Sequence, residues 1–378
     1  MALPAAQTQK SAVVAMSGGV DSCASALMLI DQGYDVVGIS MQVWDYRNNN
    51  GNAAKATCCA PADFDDARKV AEYYGFPYYV FDFEDSFEEA VIKPFVDSYV
   101  RGLTPNPCLE CNRKVKFREL RRRAASLGFD VVATGHYAQI KQLDDLSLGL
   151  FTGKDQSKDQ SYFLYAMTQA DLAATLFPVG SMLKPQVRNY LEQHGLSVAA
   201  KAESQDICFV SGAVGDFVER VSGKQSGGEI KSSSGEVVGT HDGVHRFTVG
   251  QRKGLGVSAR NPLYVLNIDA DTGTVTVGEH EELQRSFFEV SDVNWVSGVA
   301  PSAPIEALVK LRYRHSGVQC RIEALSDDTG EMSRARVSFL EDWTAVSPGQ
   351  AAVFYNSEAD AEGDVQVYGG GIIDKESM

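Results

Sequence analysis

Apolar residues in the first third of the chain come as short unbroken runs, separated by stretches in which they recur every three or four positions. On that pattern Ala12 to Met16 reads as a buried strand, Ser22 to Ile30 as a helix and Tyr34 to Met41 as a strand. Asp63 to Tyr74 reads as a helix, and Pro77 to Phe83 and Phe129 to Thr134 as further strands. Unbroken apolar strands alternating with helices predict a parallel α/β sheet with both faces covered. Between these elements the polar run Asp45 to Ala60, with NNNGN in it, is too long for a routine turn, which makes it mobile or functional. From about Gly212 the texture changes. GGEIKSSSGEVVGTHDGVHRFTVGQRKGLGV reads as short strands and glycine turns, and the sequence beyond it alternates apolar with polar and promises hardly any helix. Two smaller β-rich domains are therefore expected after the α/β one, with divisions at 1–211, 212–284 and 285–378.

Composition narrows the class. The 378 residues, 44% hydrophobic and 22% charged, suffice for two or three domains of about 100–200 residues. MALPAAQTQKSAVVAM has neither a transit pattern nor a signal-peptide core, and no apolar run approaches the ~20 residues needed to span a bilayer. A cytoplasmic protein with no membrane partner is expected. In that reducing compartment the seven cysteines do not suggest a disulfide framework, so clustered ones invite a metal or redox reading. Cys23 and Cys320, each alone in an apolar pattern, read as core residues. The net charge of −15 argues against non-specific binding to nucleic acid, yet Arg113, Lys114, Lys116, Arg118, Arg121, Arg122 and Arg123 face only Glu119, a local 7 − 1 = +6. Such a run is either a solvated helix face or a surface for phosphates.

The first strand runs into AMSGGVDSCASALM. Glycines where a strand hands over to a helix let backbone N–H groups converge on an anion, and the helix N-terminus adds its dipole. No Gly-Lys-Ser/Thr ending follows, so this is not the common loop that works at the γ-phosphate. Asp21 suits Mg²⁺ and Ser22 can donate to a phosphate; a plain glycine turn with Asp21 as helix cap is the structural alternative.

SGGVDS resembles the loop of the N-type ATP pyrophosphatases, the PP-loop superfamily, whose members split ATP between the α- and β-phosphates. The order TPNPCLECNRKVKF, ATGHYA, KDQSYFL, LFPVGSMLKPQVR, ESQDICFV, FTVGQRKGLGV, KLRYRH, VSPGQAAVFY and GGGII resembles the tRNA-specific 2-thiouridylases nearly from end to end. The resemblance implies an adenine nucleotide alpha hydrolase-like α/β domain with a Rossmann-like parallel sheet, a small central β-rich domain and a C-terminal β-barrel that binds tRNA. It also implies the chemistry. ATP adenylates the C2 oxygen of the wobble uridine, and sulfur from a cysteine persulfide displaces AMP; activating a poor leaving group divides one hard step into two. Another PP-loop ligase acting on a small carboxylic substrate remains the alternative that the loop alone allows.

Carried over to this sequence, the ATP site comprises Ala15, Met16, Ser17, Gly18, Gly19, Val20, Asp21, Ser22, Met41 and Gly135, with Asp21 serving catalysis through Mg²⁺. Cys208 takes the persulfide. Cys111 is the partner nucleophile, able to close a transient Cys111–Cys208 disulfide. Basic residues after Cys111 favour its thiolate, whereas Asp206 opposes that of Cys208. The residues alone, without the resemblance, favour Cys208 as a buried thiol in an apolar ICFV strand. Asn106, Pro107 and Cys108 are implied at the target base, which must leave its stack to be reached. His136, Lys158, Asp159, Gln160, Arg312, Tyr313 and Gln350 are implied as tRNA contacts, with Lys310 and Arg314 beside them. A persulfide donor protein, a cysteine desulfurase or a relay, is the implied partner besides tRNA. In the best-known members an aspartate stands where this chain has Cys108. Cys108, Cys111 and Cys208 thus match a subgroup in which a [4Fe–4S] cluster occupies the site; a zinc half-site completed by Cys58 and Cys59 is a further arithmetic possibility.

Overall fold

The computed structural model describes residues 10–44, 61–201, 207–343 and 346–376. The polar run with Cys58 and Cys59, and Asp206, lie outside the described residues. The chain divides into two compact units.

The first unit gathers Met1–Phe87, Asn112–Ser161 and Gln169–Phe209. Its strands are β1 (Ser11–Ala15), β2 (Asp35–Gln42), β3 (Tyr78–Asp82), β4 (Val131–Thr134), a hairpin of β5 (Ala138–Gln142) and β6 (Leu148–Thr152), and the short β7 (Thr175–Leu176). The main sheet has the order β3-β2-β1-β4-β7 with every pair parallel. Its centre is apolar because both faces are covered: Val13, Val14, Ile39 and Ala133 are fully buried. Helices α1 (Val20–Asp31) and α2 (Pro61–Tyr74) contribute Cys23, Ala24, Leu27, Ala67, Val70 and Ala71 to this core. The chain builds outward from β1 to β2 and β3, then returns to lay β4 on the other side of β1. That reversal opens a crevice beyond the C-terminal ends of β1 and β4.

The second unit gathers Glu88–Cys111, Tyr162–Thr168 and Val210–Met378. Helix Val214–Ser222 stands near the point where short strands were expected to begin. It buries Phe217 and Val218 on one face and ends at Gly223, φ 83°. Four strands, β8 (Gly228–Ser232), β9 (Val237–His241), β10 (Tyr264–Asp269) and β11 (Thr274–Gly278), form a small sheet in the order β10-β11-β8-β9 over Ile230, Val265, Val275 and Val277. Six more follow: β12 (Arg285–Trp295), β13 (Ile305–Lys310), β14 (Val318–Leu325), β15 (Arg334–Trp343), β16 (Ala351–Tyr355) and β17 (Gln366–Ile373). They pair antiparallel in the order β12-β15-β14-β13-β16-β17, and β12 also pairs with β17, so the sheet closes into a barrel. Phe288, Val290, Val309, Ile322, Val337 and Phe354 are fully buried in its core.

The fold class is thus the expected one, an α/β domain followed by a small β-rich domain and a β-barrel. Cys23 and Cys320 are core residues, and burial pushes both thiols up to about 12. Among the described residues no helix is long and apolar enough to cross a membrane.

Candidate active site

The loop Ser17–Gly19 occupies the crevice in the first unit. Ala15 ends β1 between Ile39 of β2 and Thr134 of β4, so the chain emerges at the point where strand order reverses. Gly18 takes φ 66°, a left-handed conformation that glycine adopts without strain. Ser22 Oγ accepts from the Ser17 N–H at 3.2 Å and donates to the Gly19 carbonyl at 3.1 Å, which ties the loop to the first turn of α1. Gly135 follows β4 across the crevice. A Cβ there would lie 2.7 Å from the Asp21 carbonyl carbon and 2.8 Å from the Ser22 nitrogen, so the start of α1 can approach only a bare backbone. Met41 sits half-buried near the end of β2.

Asp21 does not project alone. The Lys184 ammonium donates to both its oxygens, at 2.8 and 2.7 Å, and the Tyr137 hydroxyl donates to one of them at 2.8 Å. Lys184 is only 6% exposed and opens the helix Lys184–Gln193, where the Asp155 carboxylate accepts its backbone N–H at 2.9 Å. A carboxylate already matched by a full positive charge is a poor fit to Mg²⁺ as it stands, contrary to the expected role. Sequence reasoning missed Lys184; the signal was a lysine opening a helix inside LFPVGSMLKPQVR.

His136 is buried between Phe117 and Phe177, with ring centroids 6.0 Å away on either side, and its Nδ1 lies 2.7 Å from Thr134 Oγ1. Burial, helped by the charge of Lys116, holds its pKa well below the usual histidine value, so the ring is neutral. Asp159 also faces inward, accepting from the N–H groups of Gly153 and Ser161 at 3.0 and 3.1 Å. Gln160 Oε1 accepts from the Tyr137 N–H at 3.1 Å. The residues after β4 and the segment 158–160 are thereby brought together, with Lys158 half-exposed among them. In the same unit Cys208 is half-exposed in a turn. The buried-strand alternative for it does not hold: the adjacent Phe209 takes the interior place, edge-on to Phe87 at 5.6 Å.

In the second unit, Asn106 caps the short helix Pro107–Glu110 by accepting the Cys108 N–H at 3.1 Å. Cys108 is exposed and Cys111 half-buried. Gln350, on the loop before β16, donates to the Thr104 carbonyl at 2.6 Å, and the Thr104 N–H donates to the Pro348 carbonyl at 2.9 Å. The barrel therefore braces the segment that leads into Asn106. Tyr313 lies against Phe163, ring centroids 4.4 Å apart, while Arg312 and Arg314 on either side are exposed and Lys310 covers the Tyr355 ring at 4.5 Å.

The basic run forms a ten-residue π-helix, Cys111–Leu120, continued by the α-helix Arg121–Ser126. Its charge is less exposed than the sequence count suggests. Glu119 accepts from Arg122 at 2.7 Å and from Arg123 at 3.0 Å, and hydrogen bonding, from Arg122 above all, holds its carboxyl down at about 2. Arg121 pairs with Asp171, an acid outside the run, and Arg123 also covers the Phe83 ring at 4.2 Å.

The chain matches three families in succession: the tRNA methyl transferase HUP domain over residues 10–212, the tRNA methyl transferase PRC-barrel domain over 215–279 and the aminomethyltransferase beta-barrel domain over 285–373. It is 47% identical over 375 residues to the tRNA-specific 2-thiouridylase MnmA of Geobacter metallireducens, covering 97% of this chain and 98% of that one. It is 46% identical over 379 residues to the protein of the same name from Solibacter usitatus, covering 96% and 98%. Among solved structures, an NMN synthetase from Francisella tularensis aligns with a TM-score of 0.32 at 14% identity, over 58% of this chain and 79% of that one, too slight a likeness to bear on function.

Proposed function

Since this chain belongs to the tRNA-specific 2-thiouridylase family, we propose that it is an ATP-dependent tRNA uridine 2-sulfurtransferase that converts the wobble uridine to 2-thiouridine. The observation that carries the reading is the glycine loop at the reversal point of the sheet, closed from the far side by Gly135. Backbone N–H groups and a helix N-terminus at that place suit the phosphates of ATP. Methyl transfer, the activity in two of the matched descriptions, has no use for a polyphosphate site.

In this reading Ala15–Ser22, Met41 and Gly135 hold ATP while the uridine C2 oxygen attacks the α-phosphate and pyrophosphate leaves. The sulfane sulfur on Cys208 attacks C2, AMP departs, and Cys111 meets the Cys208 sulfur to close a disulfide that an external thiol must reduce. The two electrons that convert sulfane sulfur to thiocarbonyl sulfur come from those two thiolates. Asn106, Pro107 and Cys108 receive the target base. Lys158, Gln160, Arg312, Tyr313 and Gln350 form the tRNA contacts, with the buried His136 and Asp159 ordering that surface from beneath and the basic helix on the phosphates. Asp21 acts through its ion pair with Lys184. A persulfide donor protein loads Cys208 in the cytoplasm, and 1–211, 212–284 and 285–378 serve as catalytic, central and tRNA-binding domains.

Cys108 favours a second reading. Three apart in sequence, Cys108 in the short helix Pro107–Glu110 and Cys111 opening the π-helix that follows it, the pair suits two ligands of a [4Fe–4S] cluster, with Cys208 as the third. Such a cluster would supply an iron able to carry sulfide. Iron and sulfide analysis after anaerobic purification separates the two readings.

The function is tested with ATP, a tRNA transcript and a persulfide donor, following pyrophosphate and nucleoside composition. Pyrophosphate release that requires tRNA, matched by 2-thiouridine, is expected; release without tRNA and without thiolated product would reject the proposal.

A further inference from the structure

Lys201 joins three distant parts of the first unit. Its ammonium donates to the Gly18 carbonyl at 3.0 Å and to Asp66 at 2.6 Å, and it lies 2.6 Å from Asp63. The loop is pressed onto the first turn of α2: a Cβ on Gly18 would stand 1.9 Å from the Asp63 carbonyl oxygen. Burial alone would depress the lysine, but its bonds to Asp63 and Asp66 keep its pKa above the ordinary value, so it is a fixed cation.

The consequence follows from peptide geometry. Across a planar trans peptide the carbonyl of one residue and the N–H of the next point to opposite sides. With the Gly18 carbonyl drawn toward Lys201, the Gly19 N–H is turned away from α2. The Gly19 carbonyl is itself committed to α1, accepting from Ser22 Oγ at 3.1 Å and from the Cys23 N–H at 3.2 Å. The peptides on both sides of Gly19 are thus held at the moment an anion arrives, which is the preorganisation a phosphate loop needs.

We propose that Lys201, held by Asp63 and Asp66, is a positioning residue that orients the Gly18–Gly19 peptide for the phosphates of ATP. The proposal rests on the ATP-dependent reading above. It gives DFDDARK at the start of α2 a role: its acids set a lysine, and the lysine sets the loop.

Titration calorimetry with magnesium pyrophosphate and with ATP tests it, alongside thiolation kinetics. Lys201→Met is expected to weaken pyrophosphate at least tenfold and to raise KM for ATP in proportion. The thermal midpoint should fall, because Asp63 and Asp66 lose their cation, but KM for tRNA measured on the folded variant should stay near wild type, and Lys201→Arg should recover most of the loss. The triple variant Lys201→Met, Asp63→Asn, Asp66→Asn should remain weak, because removing the acids does not reorient the peptide; full recovery there would mean that Lys201 merely neutralises charge, and would overturn the proposal. If Lys201→Met does not fold, Asp66→Asn carries the test, with about threefold weaker pyrophosphate expected and unchanged binding against it. Wild-type protein that binds neither ligand would refute the proposed function itself, whereas wild-type binding matched by Lys201→Met refutes this inference alone.

Discussion

Lys184 caps both oxygens of Asp21 from 163 residues away, at 2.8 and 2.7 Å, and Tyr137 holds one of them from a third segment. The pair is largely screened from water, the lysine side chain being 8% and the aspartate 28% exposed. Asp21→Asn and Lys184→Met should each destabilise the protein, because each leaves its partner's charge uncompensated. A double-mutant cycle read by chemical denaturation should give a coupling of about 1–3 kcal/mol, below the cost of breaking a fully buried pair. Strict additivity would show that the contact contributes nothing.

Gly135→Ala tests the crevice. With the new methyl 2.7 Å from the Asp21 carbonyl carbon, backbone must move, at a cost of about 1–3 kcal/mol for overpacking. Because the displaced atoms begin α1, ATP affinity should fall more than stability predicts; calorimetry with ATP on the folded variant reads this directly, and wild-type affinity would contradict it.

Cys208→Ser separates sulfur delivery from activation. The variant should bind ATP and tRNA within about twofold of wild type and still release pyrophosphate in the presence of tRNA, while 2-thiouridine disappears from digested product. Continued thiolation would remove Cys208 from the sulfur route.

His136 sets a pH dependence of stability. Its folded pKa lies well below the ordinary 6.5, through burial first and the Lys116 charge second, so the unfolded chain binds the proton more readily. Stability from this site is complete above pH 6.5 and is lost as the pH falls below it. His136→Gln should flatten that acid limb in denaturation curves taken from pH 7 to 5, and an unchanged slope would place the effect elsewhere.

What the sequence revealed was local. Short β-rich apolar runs such as Ala12 to Met16 and Tyr34 to Met41, too short for helices and closed by turn signals, read as buried strands, and SGGVDS marks its own junction with α1. Helix Val214–Ser222 was masked by Gly212, Gly215 and Gly223, although Phe217 and Val218 give it a clear apolar face. Partnerships across long separations were illegible: nothing near Arg121 announces Asp171, and nothing near Asp21 announces Lys184. The π-helical winding of Cys111–Leu120 has no compositional signature, since the same side chains suit an α-helix. Gly135 is placed in the ATP site by resemblance alone, and no signal in the sequence announces that the start of α1 packs against its bare backbone.

The hydrogen bond from Gln350 to the Thr104 carbonyl has a consequence for synthesis. A ribosome makes Thr104 long before Gln350, so a nascent chain exposes the Asn106–Cys108 segment without its brace. That segment gains its support only after the loop before β16 has emerged and folded back. A message cut short upstream of Gly349 therefore yields a product lacking this support, whatever the condition of its nucleotide loop.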